Sequence, residues 1–243
     1  MTLARAIIRL DYNLTVMKRI LLISLIFFPF LLNGQSVYRI KGEYSLKAKE
    51  NNQSQLVMGQ FFYDINRGQI IYRNSFPERE MWVTDDTTLY HIIDEQVVSS
   101  QVIPDLTEFS VFHLALTRNL KNFGISDEDF ALEKVEQEDN MVLSTYEPRG
   151  RFKEFTGKII LSMKEGKLFG IVFFNRDGVI IKKQFFEDYY ISSGVPFPGK
   201  ITEITYKNGA ENYRVTTYRN IKYNSSDVQD IYHFDADLYF SKR

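Results

Sequence analysis

The stretch LFGIVFFNRDGVIIKKQFF, residues 168–186, decides the fold class of this chain. It consists of two runs rich in aromatic and β-branched residues on either side of Asp177-Gly178. An Asp-Gly pair supplies the positive φ angles that a two-residue hairpin turn requires. The pattern therefore predicts that residues 168–174 pair antiparallel with residues 179–186.

Strand-like alternation continues on both sides of this hairpin. Apolar and polar side chains alternate from Val37 to Lys47, and they alternate again from Tyr213 to Tyr223. The turn pair Asn208-Gly209 predicts a second hairpin, between residues 201–206 and 212–223. The sequence thus predicts a mainly β (α+β) fold with an antiparallel sheet built largely from neighbouring strands.

One segment breaks the strand period. Beyond Pro104, apolar residues recur at spacings of three and four, which predicts a helix over residues 106–122. Asp105 or Thr107 is the candidate N-cap, and Gly124 is the candidate C-cap. The periodic apolar positions are Phe109, Phe112, Leu116, Leu120 and Phe123. Such a helix is expected to lie on the sheet with its apolar side down.

The amino-acid composition excludes several classes of function. The 243 residues include 30 Lys+Arg, 31 Asp+Glu and no Cys. The balanced charge gives no basic surface for nucleic acid, and the absence of cysteine excludes thiolate catalysis and Cys-ligated metal sites. We find no repeat or long linker, so residues 35–243 are predicted to form a single domain.

The N-terminal region carries the pattern of a secretory signal peptide. Lys18-Arg19 precedes an apolar run from Ile20 to Leu32, and small and polar residues follow at 33–36. The run is about 13 residues long, whereas a membrane-spanning helix needs roughly 20. We expect cleavage near Gly34 or Gln35. Met17 is the expected true start, with residues 1–16 a mis-called extension and the mature protein in the periplasm.

The chain is rich in aromatic residues, with 20 Phe and 15 Tyr. Several predicted strands are apolar on both faces, among them Phe61-Phe62-Tyr63 and residues 168–174. A central strand of a sandwich would explain this pattern. A curved sheet whose concave side lines a cavity for a hydrophobic ligand would explain it equally well. The sequence leaves these two interpretations open.

The sequence contains few candidates for catalytic or metal-binding residues. His91, His113 and His233 are far apart and show no metal-ligand spacing. Glu78 and Glu80, separated by one residue, are expected to share a strand face, which is a starting geometry for glycosidase-like carboxylates. Exposed strand positions explain the pair more simply. We therefore expect no catalytic residue, no metal site and no cofactor.

The middle of the chain carries a set of motifs in a fixed order. They are Gly59 before Phe61-Phe62-Tyr63, Phe76-Pro77-Glu78, an apolar pair ending at Val83, Asp85, Thr88-Leu89-Tyr90, an apolar helix closing on residues 115–119, and the late run Tyr218 to Asn224. In this order they resemble the periplasmic lipoprotein carriers, the LolA-like superfamily of outer-membrane lipoprotein-sorting proteins. The resemblance covers most of residues 37–224.

The resemblance implies an incomplete antiparallel β-barrel or curved sheet, with helices covering the concave face and a hollow that accepts acyl chains. The ligand-binding residues it implies for the cavity and lid are Phe62, Trp82, Phe109, Phe112, Leu116, Phe174 and Phe186. In this superfamily an arginine after the glycine-aromatic strand ties the lid to the barrel. Ile65 stands nearest that position here, and Arg67 is the candidate latch.

The function implied is periplasmic binding of lipid or lipoprotein acyl chains, as a monomeric carrier toward the outer membrane. The expected partners are an inner-membrane donor and an outer-membrane acceptor, without nucleic acid. One alternative is an envelope sensor or interaction module whose core is filled by its own side chains. Another alternative is an enzyme that acts on lipid or glycan.

Overall fold

The computed structural model describes residues 37–50, 53–85, 87–103, 107–207, 209–225 and 229–240. The predicted signal peptide and the N-cap candidate Asp105 lie outside the described residues. The strands are β1 Arg39–Glu50, β2 Gln53–Asp64, β3 Gln69–Phe76, β4 Glu80–Asp85, β5 Thr88–Ile93, β6 Gln96–Val102, β7 Phe130–Glu138, β8 Met141–Pro148, β9 Ile159–Lys164, β10 Lys167–Phe174, β11 Ile180–Ser192, β12 Val195–Lys207 and β13 Ala210–Tyr223. The α-helices are α1 Val111–Leu116 and α2 Ala236–Phe240.

All thirteen strands belong to one antiparallel sheet, in the order β6-β5-β4-β3-β2-β1-β13-β12-β11-β10-β9-β8-β7. The chain runs outward from β1 to the edge strand β6, crosses to the opposite edge at β7, and returns strand by strand to β13. Strand β13 then pairs with β1. The sheet is curved and unclosed, because β6 and β7 remain its two edges. This confirms the predicted fold class.

Both predicted hairpins are confirmed. Residue Gly170 of β10 lies opposite Phe185 of β11, and Gly178 in the connecting turn has a φ of 76°. In the second hairpin, Thr205 of β12 lies opposite Asn212 of β13. The first loop is longer than the predicted two-residue turn, because the Asn175 N–H donates to the Val179 carbonyl oxygen and Gly178 alone of residues 176–178 has a positive φ.

The predicted helix over residues 106–122 is wrong in length. The crossover contains a 3₁₀ turn at Thr107–Phe109, then α1, then a second 3₁₀ turn at Leu120–Asn122. Ser110 has an extended backbone and its side chain caps α1 by accepting from the His113 N–H, so Ser110 and neither predicted residue is the N-cap of α1. Arg118 has a φ of 62°, which ends the helical path.

Two clusters of buried side chains lie on opposite faces of the sheet. The main cluster lies on the face that α1 covers, which we call the inner face, and it includes Phe61, Phe112 and Phe197. The second cluster lies on the outer face of β2 to β5, where residues 229–240 cover it with Tyr232 and Phe234. Because successive strand side chains alternate, Phe61 and Tyr63 face inward and Phe62 faces outward.

Candidate functional site

The candidate site is the inner face beneath α1. Phe112 of α1 is 1% exposed and lies among aromatic rings of four strands, β2, β3, β12 and β13. Its ring centroid lies 4.7 Å from that of Phe61, 6.0 Å from that of Phe197 and 5.8 Å from that of Tyr218. Leu114, Ala115, Leu116 and Leu120 are also buried in this cluster. The crossover therefore fills this part of the hollow with its own side chains.

A glycine makes room for the centre of this aromatic group. Gly42 lies directly opposite Phe61 in the β1–β2 ladder. A Cβ atom at residue 42 would approach the Phe61 ring to 2.9 Å and the Arg219 carbonyl oxygen to 2.8 Å. The lack of a side chain at residue 42 thus allows the Phe61 ring to lie flat against β1 and meet Phe112.

One polar contact joins α1 to the sheet. The Tyr63 hydroxyl lies 2.8 Å from Nδ1 of His113. Tyr63 is fully buried and His113 is half-buried, so this hydrogen bond fixes the rotational position of α1 over the apolar cluster. The side chains of α1 that the structure describes as buried, Phe112, Leu114, Ala115 and Leu116, are all apolar.

The inner face also carries polar residues that lie beside the apolar cluster. Tyr44 donates from its hydroxyl to Oδ1 of Asn74, and Nδ2 of Asn74 donates to Oε1 of Glu80 at 2.8 Å. Oε2 of Glu80 lies 2.5 Å from Nε2 of His91, whose ring stacks on Trp82 at 3.9 Å between centroids. We call these five residues the polar chain.

The ionisation of Glu80 follows from these contacts. Burial alone would raise its pKa, but the polar groups of Asn74, Trp82 and His91 lower it by more. The pKa of Glu80 therefore lies below its ordinary value, and the side chain is a carboxylate at neutral pH. Glu78 stands apart from it, because β4 begins at Glu80 and Glu78 is exposed in the preceding turn. The expectation of one shared strand face was wrong.

A second charged group lies on the inner face of β11 to β13. Glu203 accepts from Nζ of Lys182 at 2.8 Å and from Nε2 of Gln184 at 2.8 Å, and Arg214 Nη1 lies 3.8 Å away. Burial favours the neutral acid, but Lys182, Arg214 and Gln184 outweigh it and lower the pKa of Glu203. The inner face is thus less uniformly apolar than the sequence indicated.

The structure brings together only some of the sequence-predicted site residues. Phe112, Leu116 and Phe186 are buried in the main cluster. Trp82 lies on the same face, because it pairs with Tyr72 and Tyr72 pairs with Phe61. Phe109 is 53% exposed in the 3₁₀ turn before α1.

Three further predicted residues lie elsewhere. Phe62 is in the outer-face cluster against Tyr232, so it does not line the hollow. Phe174 is half-buried at the end of β10, where Lys158 Nζ lies 5.0 Å from its ring centroid. Arg67 contacts Nδ1 of His233 in the C-terminal segment at 3.1 Å, and α1 is held instead by Tyr63.

Sequence reasoning missed most of the polar chain, because its members are brought together only by the register of β1 to β5.

An open cleft of about 1510 Å³ runs across the outer face, bordered by residues such as Glu43, Arg73, Arg219 and Tyr239. Among the described residues, no three His, Asp or Glu side chains converge as a metal site. None of the described helices has the length and apolarity of a membrane span.

Two solved structures are similar to this chain over most of its length. A LolA superfamily protein from Nitrosomonas europaea aligns with a TM-score of 0.54 and 12% identity, covering 84% of this chain and 93% of that chain. A DUF1329 family protein from Desulfovibrio piger aligns with a TM-score of 0.52 and 13% identity, covering 84% of this chain and 92% of that chain. No protein-family model matches the sequence, and no curated protein matches it. The chain therefore has the LolA-like fold that its sequence resembles.

Proposed function

We propose that this protein binds the acyl chains of a lipid or lipoprotein in the hollow beneath α1. The observation that carries the proposal is the position of Phe112, which occupies the centre of an apolar hollow from a helix of only six residues. An acyl chain would take the place of Phe112 and its neighbours, and α1 would move outward to admit it.

The free energy gained by burying an acyl chain is close to the free energy lost by exposing the side chains of α1. Burying one methylene group is worth about 0.8 kcal/mol, so a 14-carbon chain gains on the order of 10 kcal/mol. Moving α1 outward exposes Phe112, Leu114 and Leu116, at a cost of about 1.5–3 kcal/mol each. Insertion is then favourable by only a few kcal/mol. Such a margin permits release to a more apolar acceptor, which is what a carrier requires.

The proposal includes export of the protein to the periplasm. The signal-peptide pattern in residues 17–36 supports export to the periplasm, with a mature chain starting near Gly34 or Gln35 as one domain. There the protein would act as a monomeric carrier that takes cargo from an inner-membrane donor to an outer-membrane acceptor. The direction of transport is the one that the sequence resemblance to the lipoprotein carriers implies, and the fold shared with a LolA superfamily protein is compatible with it.

A second candidate function has a specific observation in its favour. Phe112, Leu114 and Leu116 fill the hollow beneath α1, with Phe112 stacked on Phe61. A protein whose hollow is permanently filled would instead be an envelope interaction or sensor module. The two functions differ in whether α1 can move away from the inner face without unfolding the sheet.

The test compares two substitutions on the same crossover. Protein purified from its native periplasm is extracted with organic solvent, and the extract is analysed by mass spectrometry. We expect co-purified lipid with the wild type and with Phe109→Asp, whose side chain is already exposed. Phe112→Asp destabilises the closed state, in which residue 112 is buried, so it should retain at least as much lipid as the wild type while its circular dichroism remains that of a folded β protein. Unfolding of Phe112→Asp, with no lipid in any extract, would favour the permanently filled module.

A further inference from the structure

The polar chain continues the hollow toward the edge of the sheet. On the inner face, Phe61, Tyr72, Trp82 and His91 are successive cross-strand partners on β2 to β5. The Tyr72 ring lies 6.2 Å from Phe112 and 5.2 Å from Tyr44. A row of aromatic side chains therefore connects the part of the inner face beneath α1 with the Glu80–His91 pair. A ligand bound beneath α1 would have the polar chain at one end.

The carboxylate of Glu80 has no cationic side chain of Lys or Arg beside it in the described part of the chain. Its hydrogen-bond partners are Asn74 and His91, and the groups that lower its pKa are these two and Trp82. Glu80 is the acidic side chain of the polar chain, and its lowered pKa keeps it a carboxylate at neutral pH. The side chains of Glu80 and His91 are 18% and 19% exposed, which leaves the pair within reach of a ligand.

Aromatic faces surround this charge. Trp82 and Tyr72 are half-buried neighbours in the row, and Tyr44 completes the group on β1. A carboxylate beside electron-rich aromatic faces attracts ammonium groups, through ion pairing and through cation–π contact. The same arrangement repels anionic heads.

We propose that the polar chain binds the ammonium head of an amphiphile whose acyl chain lies beneath α1. Glu80 carries the charge, Asn74 and His91 hold its two oxygens in place, and Trp82 offers an aromatic face to the head. The inference rests on the proposed function for the position of the tail. It adds the chemical class of the head, which that function leaves open.

The test uses Trp82 as a built-in reporter, because it is the only tryptophan in the chain. Its fluorescence is titrated with dodecyltrimethylammonium, with dodecyl maltoside as a neutral amphiphile of the same tail, and with tetramethylammonium as a head without a tail. All titrations are made below the critical micelle concentration at pH 8. The wild type is compared with Glu80→Gln and with the matched control Glu78→Gln.

We expect the wild type and Glu78→Gln to bind the cationic amphiphile at least tenfold more tightly than the neutral one. Glu80→Gln should lose about tenfold in affinity for the cationic amphiphile and change by less than about twofold for the neutral one. Equal binding of both amphiphiles, unchanged in Glu80→Gln, overturns the head-group site and leaves acyl binding intact.

The tail-free probe separates this inference from the proposed function. Response to tetramethylammonium that depends on Glu80, without binding of either amphiphile, supports the head-group site and contradicts acyl binding. Absence of response to all three probes overturns both. If Glu80→Gln fails to fold by circular dichroism, the wild type is titrated at about 0.01 M and about 0.15 M salt. Weaker binding of the cationic amphiphile at the higher salt, with binding of the neutral one unchanged, then supports the site, and equal binding of the cationic amphiphile at both salt concentrations contradicts it.

Discussion

At the scale of single residues, Gly42 decides whether the aromatic group under α1 can assemble. A methyl group at residue 42 would stand 2.8 Å from the Arg219 carbonyl oxygen and 2.9 Å from the Phe61 ring. We expect Gly42→Ala to destabilise the fold by about 2 kcal/mol, because backbone or ring must shift. The measurement is equilibrium unfolding in urea.

Gly68 provides the matched control for this substitution. Its φ is 63° and no atom lies within 4 Å of its added Cβ, so Gly68→Ala has only a conformational cost of about 1 kcal/mol. Equal destabilisation by the two substitutions would contradict the close packing described at Gly42.

The hydrogen bond between Tyr63 and His113 gives a second prediction at this scale. Tyr63→Phe removes the hydroxyl that holds α1, with a net stability loss of about 1 kcal/mol. Because this hydrogen bond to α1 is then lost, uptake of a fluorescent fatty-acid probe should become several-fold faster in stopped-flow experiments. Tyr213→Phe, at a surface position that pairs with Glu211, should leave the rate unchanged. An unchanged rate in Tyr63→Phe would show that this bond does not hold α1.

Residues differ in how well the neighbouring sequence predicts their position in the fold. Phe112 was predicted correctly as a residue of the covering helix, because helical spacing marks the apolar side. In Phe61-Phe62-Tyr63 all three side chains are buried, so alternation could not tell which of them face inward. Glu80 and His91 are eleven residues apart and meet only through the β4–β5 register, which no local pattern specifies.

At the scale of elements, hairpins were predicted well and the crossover was not. A hairpin is specified by its own turn, as at Asp177-Gly178. Helix α1 is shorter than its apolar period because Ser110 caps it late and Arg118 ends it early. The apolar spacing that predicted the helix does not specify either of these two ends.

The C-terminal segment gives a prediction at the element scale. Tyr232 is 2% exposed, its ring lies 5.9 Å from Phe62, and the Arg39 guanidinium lies 4.5 Å above it. We expect Tyr232→Ala to destabilise the protein by about 3 kcal/mol in urea unfolding, because it removes the centre of the outer-face cluster. Tyr190→Ala, at a 45% exposed position, should cost less than about 1 kcal/mol. Similar losses from both would mean that residues 229–240 do not stabilise the sheet.

At the scale of the whole molecule, acid stability should depend on the carboxylates of the inner face. Despite burial, the pKa of Glu203 is lowered by Lys182, Arg214 and Gln184 relative to an ordinary 4.5. A lowered folded-state pKa contributes stability above the unfolded pKa, and this contribution is lost as pH falls through the folded value. The Tm should therefore fall as pH drops below about 4.5. Glu203→Gln should show a weaker fall, and an identical pH profile would contradict the role of Glu203.

The fold of the whole molecule was predictable from strand alternation, turn chemistry and the family resemblance together. The order of thirteen strands was not, because pairing β1 with β13 joins residues about 180 positions apart in sequence. The polar chain depends instead on the register of the neighbouring strands β1 to β5, which no local sequence pattern specifies.

The central claim is that an acyl chain displaces α1 and takes the place of Phe112. The chain has no cysteine, so Phe112→Cys introduces a single thiol whose rate of labelling by a maleimide reports the exposure of that position. We expect slow labelling without ligand and at least tenfold faster labelling with a saturating fatty acid. Phe109→Cys, at an exposed position, should label rapidly in both conditions. Labelling of Phe112→Cys that stays slow at saturating fatty acid would contradict the account.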